Sequence, residues 1–174
     1  MRSALAIFAV LAAAAPAQAD DMSAAVNGFY GVYATFHPSD GIPDAKDLAK
    51  YQPYISPALD KLLADGHRAE AAFAMANKDS PPMIEGDLFT SNFEGATSAK
   101  VGPCKGDAKA GQCSVALVYS AGKDKPIAWN DTIYVVATPS GWKVDDIAFG
   151  ASWEFGNKGR LTKTLEDTIE NSGK

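Results

Sequence analysis

The chain has 174 residues, 21 acidic and 16 basic side chains, and a formal net charge of −5. That length suits one domain with a tail rather than two ordinary domains. The acidic balance argues against nucleic acid or an anionic membrane as the main partner, since both need a basic face. Two cysteines and two histidines lack the spacing of a zinc site.

The N-terminus reads as a processing signal. Met1-Arg2 is a positive start, Ala4 to Ala15 is an unbroken apolar run, and Ala17-Gln18-Ala19 fits the small-x-small cleavage rule. Twelve apolar residues fall short of the roughly 20 that span a bilayer. The expectation is therefore a signal peptide over residues 1–19, cut after Ala19, and a periplasmic location. No cysteine follows the apolar run to carry a lipid, and no later segment is apolar enough to cross a membrane. The rest divides into a single α+β domain over 20–155 and a tail over 156–174 with a possible short helix.

Met22, Val26, Phe29, Tyr33 and Phe36 recur at helical spacing, and Pro38 and Gly41 end the pattern. Gly28 and Gly31 interrupt that helix, either for close packing or to leave room for a ligand. Residues 44–51 read as a short polar helix. Ser56-Pro57 then opens another, with Leu59, Leu62 and Leu63 on its buried face. This helix either runs through His67 to Met75 or breaks at Asp65-Gly66, and Pro81-Pro82 closes the helical half.

The period then changes from helical to alternating. Segments around 113–120, 132–137 and 142–149 read as strands, the last two joined as a hairpin at Pro139-Ser140-Gly141. A strand near Ser98–Cys104 would pair with 113–120 through the cysteine loop. Cys104 and Cys113 are nine apart across a Gly- and charge-rich loop, and an exported chain favours a bridge between them. Leu161, Leu165 and Ile169 give the tail one thin apolar edge. The predicted fold is α+β, with N-terminal helices packed on a curved antiparallel sheet of about four strands.

Gly86–Ser91 (GDLFTS), Trp129–Asp131 (WND) and Gly141–Ile147 (GWKVDDI) together resemble an exported bacterial family catalogued as domain of unknown function 3828. The likeness spans roughly Val26 to Phe149 and includes the F-Y-G-V-Y of the first helix. That family is similar to the nuclear-transport-factor-2-like cone fold, in which helices and a bent sheet enclose a pocket. Such a fold hosts binding modules, structural subunits and enzymes alike, so the resemblance does not by itself give a function.

Strict alternation would place Asp146 with Trp142 and Val144 on the concave face. A carboxylate there is a candidate general base, with Tyr30, Tyr33 or His67 as helpers. The other reading is a structural carboxylate at a strand end, or one turned outward by a bulge. Asp145 is expected to be solvated or paired with Lys143 or Lys100. His67 and Glu70 form a possible base and orienter or an exposed helical pair, and His37 is a possible helix cap. Asp87, Asp131, Asp145 and Asp146 could gather into a calcium-type site, but no loop of that pattern is present. No cofactor or metal motif is found.

Tyr30, Tyr33, Trp129, Asp131, Trp142 and Asp146 are the candidate binding residues. The expected function is binding of an envelope protein or a small ligand. Alternatives are a hydrolase or isomerase with a pocket carboxylate, and an inhibitor or immunity protein against a cell-wall hydrolase or toxin. An enclosed pocket holding Asp146 would favour the enzyme, and a filled interior with exposed aromatics would favour a protein partner.

Overall fold

The computed structural model describes residues 15–35, 41–151 and 153–173. Most of the expected signal segment, together with Phe36 and His37, lies outside them. The element order is α1 (Ala15–Thr35), α2 (Ala45–Tyr51), α3 (Pro57–Ala76), β1 (Ser98–Gly106), β2 (Ala110–Tyr119), β3 (Ile127–Thr138), β4 (Gly141–Ala148) and α4 (Leu161–Asn171). The four strands form one antiparallel sheet in the order β1-β2-β3-β4. The architecture is α+β, as the change of period predicts.

Local chemistry sets the helix ends. Asp44 caps α2 by accepting from the backbone N–H of Lys46 and Asp47, both at 2.9 Å. Ser56 caps α3 at Leu59 N, and Pro57 sits where its missing N–H costs nothing. α3 runs through Asp65-Gly66 without a break. Gly66 is kept there by packing, since a Cβ would stand 2.8 Å from Ile42 Cδ1 and 3.2 Å from Leu165 Cδ2.

Cys113, Val115, Leu117, Ile133, Val135, Val144 and Ile147 form the buried face of the sheet. α1 lies across that face and touches all four strands. Phe29 sits at the centre, with its ring centroid 5.2–5.3 Å from those of Tyr30, Tyr51 and Phe89. α4 packs on α3 and places Leu161 and Leu165 in the same core. The segment expected as a tail is thus continuous with the domain's interior.

Cys104 and Cys113 are opposed in the β1–β2 register and joined by a disulfide. Closing so short a loop stabilises the fold by about 2–3 kcal/mol. One extra residue in β1, at Gly102-Pro103, returns Cys104 to the buried face. The far border of β4 is covered by backbone: Val144 N donates to Tyr54 O, Ser56 N to Val144 O, and Phe149 N to Gly159 O.

The two glycines of α1 have different surroundings. A Cβ on Gly28 would stand 2.1 Å from Tyr54 Cε1, whereas one on Gly31 would meet nothing within 4 Å. Gly28 therefore serves close packing, and Gly31 does not. Gly28→Ala is expected to cost about 2 kcal/mol by displacing the ring. Gly31→Ala should gain up to about 1 kcal/mol from helix propensity. Urea unfolding of the two variants should show opposite signs, and a shared sign would contradict this packing.

Candidate functional site

Four of the six candidate binding residues come together where α1, the loop 84–97 and the start of β3 meet. α1 supplies Tyr30 and Tyr33, and β3 supplies Trp129 and Asp131. The 84–97 loop adds Asp87, Thr90, Ser91 and Asn92, all buried despite being polar. Such groups stay buried only when their hydrogen bonds are met internally.

Asp131 meets this condition fully. Its Oδ1 accepts from Ser91 Oγ and from Gly150 N at 2.8 Å, and its Oδ2 accepts from Ser91 N at 2.9 Å and Trp129 Nε1 at 3.2 Å. Asp87 accepts from Tyr33 Oη at 2.8 Å and Phe89 N at 2.9 Å. The same Tyr33 oxygen accepts from Ala96 N at 2.8 Å. Asn157 donates to Asp87 O at 2.5 Å and Thr90 O at 2.7 Å, and its N–H donates to Ser91 O at 3.0 Å. Together these bonds tie the 84–97 loop to β3 and to the 149–159 loop.

Glycine completes the assembly. Gly95 has φ of +80°, and a Cβ there would stand 2.7 Å from Tyr33 Oη and 3.0 Å from Asp87 Oδ2. Tyr30 Oη is buried without a hydrogen-bond partner among the described residues. Burial raises the Tyr30 pKa well above its ordinary value, and the charges of Asp131 and Asp87 add to this. Burial also raises Tyr33, helped by Asp87 and opposed by the Ala96 N–H.

Asp146 departs from the strict alternation expected of it. The register pairs Tyr134 with Asp146 but Val135 with Val144, so Asp145 is an extra residue. This bulge turns Asp146 to the sheet face opposite Val144. There it accepts from Arg160 Nε at 2.5 Å, Thr162 Oγ1 at 2.8 Å, Thr162 N at 3.0 Å and Ile147 N at 2.7 Å. α4 has no side-chain cap of its own, and the β4 carboxylate fills that place. With these four donors on its two oxygens, Asp146 has no lone pair directed at a substrate, and the general-base reading gives way to a structural one.

The other candidates lie apart. Trp142 packs at the far end of β4, opposite Ala137. Asp145 accepts from Ser56 Oγ at 2.5 Å instead of pairing with lysine, and Lys143 Nζ donates to Pro53 O. Glu70 accepts from Ile84 N at 3.3 Å, and no hydrogen bond joins it to His67 among the described residues. No cluster of three or more His, Cys, Asp or Glu among the described residues is placed to hold a metal ion.

The sheet face under α1 is packed with the buried aromatic side chains of Phe29, Tyr30, Tyr33, Tyr51 and Phe89. Five surface depressions are lined by other residues, none of them by Tyr30, Tyr33, Asp87 or Asp131. Two phenylalanines are exposed on the loops that the network ties down: Phe93 at 38% and Phe155 at 79%. Each adjoins an exposed glutamate, Glu94 and Glu154. The loops meet where Asn157 N bonds Ser91 O, and a Cβ on Gly156 would stand 2.4 Å from that oxygen.

Sequence reasoning missed Ser91, Gly150, Asn157, Arg160 and Thr162. The detectable signal was a polar run, Thr90-Ser91-Asn92, directly after the apolar pair Leu88-Phe89. No family model matches the chain, and no match is found among the curated proteins or the solved structures.

Proposed function

We propose that this chain is an exported, non-catalytic binding domain that engages a basic protein partner through Phe93 and Phe155. The observation that carries this reading is two exposed phenylalanines, each beside a glutamate, on loops fixed by buried hydrogen bonds. A pinned loop loses little entropy on binding, and an aromatic anchor gains most when it enters an apolar pocket. The glutamates suit a cationic rim around that pocket. An inhibitor of a cell-wall hydrolase or toxin with a basic cleft is the specific form this takes. The packed aromatic interior and the internally bonded Asp131 and Asp146 favour binding over proton transfer. The resemblance to the cone-fold family belongs to the same proposal, with the enclosed space occupied by side chains.

The test is affinity capture from envelope extract, comparing the wild type with a Phe93→Ser/Phe155→Ser double variant by quantitative mass spectrometry. Phe155 is 79% exposed and its loss should change stability little, whereas Phe93 is 38% exposed and lies against Gly86, so the double variant should lose about 1 kcal/mol and its fold is checked by circular dichroism. It should lose at least about tenfold of a specific captured partner. An unchanged set of captured proteins would refute the assignment of these loops.

A further inference from the structure

The outer face of the sheet carries a row of polar residues at matched register. Lys105 pairs with Gln112, Gln112 with Tyr134, and Tyr134 with Asp146, so the row crosses all four strands. At about 4.8 Å per strand the row spans about 14 Å. One end is closed by Arg160, whose guanidinium lies 3.9 Å from the Tyr134 ring centroid and is held there by Asp146. One face of the tyrosine is therefore occupied and the ring is fixed in place.

The ring also borders an open depression of about 430 Å³, lined by Lys105, Gly106, Ala110, Gly111, Gln112 and Tyr134. Its floor is backbone and the small Ala110; Gly106 and Gly111 are paired in register, and a Cβ on Gly111 would stand 2.5 Å from Met22 Sδ, on the α1 side of the sheet rather than in the depression. Beside it stand Lys105 and Lys109, and the nearby Asp107 already accepts from the backbone N–H of Lys109 and Ala110. Lys105 makes no ion pair with a described residue.

We propose that this row binds an acidic saccharide, with a pyranose ring against Tyr134, hydroxyls on the Gln112 amide and a carboxylate on Lys105. A flat apolar strip beside an aromatic ring takes the C–H face of a sugar. An amide supplies both a donor and an acceptor to neighbouring hydroxyls. An unpaired ammonium selects the charged sugar over the neutral one. A nucleotide fits less well, because base-stacking sites join such a ring to a cationic groove along the phosphates, and here Arg160 is already paired with Asp146, leaving Lys105 as the one cation among the lining residues. The site is separate from the loops carrying Phe93 and Phe155, so its failure would leave that proposal standing.

The experiment is an amide NMR titration of the ¹⁵N-labelled chain with trigalacturonate, maltotriose and uridine monophosphate. Trigalacturonate should shift the amides of Lys105, Gln112 and Tyr134, and maltotriose should bind at least about tenfold more weakly. Lys105→Gln should weaken trigalacturonate about tenfold. Tyr134→Phe should keep binding and Tyr134→Val should remove it, with a dispersed spectrum showing that each variant is folded. Gln112→Ala should weaken binding without disturbing the Arg160 stack. Shifts absent from the row, equal affinity for maltotriose, stronger binding of uridine monophosphate, or full binding by Tyr134→Val or Gln112→Ala would each overturn the proposal.

Discussion

Replacing Asp131 by alanine is expected to lower stability by about 4 kcal/mol. The carboxylate is 1% exposed, and its two oxygens receive four donors from Ser91, Trp129 and Gly150. Removing it leaves Ser91 N, Gly150 N and Trp129 Nε1 facing a cavity without an acceptor. Each unmet buried donor costs about 1–3 kcal/mol, partly recovered if water enters. Asp131→Asn keeps the volume and one acceptor oxygen, and should lose about half as much. Urea unfolding measures both values. Tryptophan fluorescence should change as well, because Trp129 meets Trp153 edge-on at 5.2 Å. A loss below about 1 kcal/mol for the alanine variant would show that the loops hold without this carboxylate.

Alkaline titration should unfold the domain cooperatively, roughly one to three units above pH 10. Tyr30, Tyr33 and Tyr51 are buried, and burial is the first cause raising each of their pKa values; Asp87 adds to all three. The unfolded chain ionises these phenols near their ordinary value, while the folded chain keeps them protonated. Their contribution is therefore intact below about pH 10 and is lost as pH rises towards the raised folded values. Each phenol contributes about 1.4 kcal/mol per pH unit in that window, so three together remove up to about 4 kcal/mol per unit. Phenolate absorbance and far-ultraviolet circular dichroism should change together for this half of the six tyrosines. Ionisation of all six before the fold is lost would contradict the burial.

The parts of the fold that depend on local pattern were legible in the sequence. Ser56-Pro57 marks the start of α3, and the alternation of Val115 and Leu117 marks β2. The disulfide followed from compartment and spacing. Of the six residues grouped from the sequence, Tyr30, Tyr33, Trp129 and Asp131 converge in space, whereas Trp142 and Asp146 lie apart. Asp146 could not be read from alternation, because one inserted residue, Asp145, reverses the side of everything beyond it. The bulge is imposed by tertiary contacts: Asp145 reaches Ser56, and Asp146 reaches the start of α4. Gly150 and Asn157 were invisible for a related reason. Their value lies in backbone approach and in carbonyls supplied from some 60–70 positions away.

The borders of the sheet have a further consequence for the chain's behaviour in a crowded compartment. An exposed strand border invites pairing with another copy and growth into aggregates. The β4 side is sealed by backbone from the 54–56 and 159–160 segments. Among the described residues the β1 side pairs with no further strand, and Pro103 at the bulge, flanked by Lys100 and Lys105, interrupts it with a missing donor and repelling charge. Pro103→Val would restore a donor and a strand-forming side chain there, turning a solubility safeguard into a site of self-association.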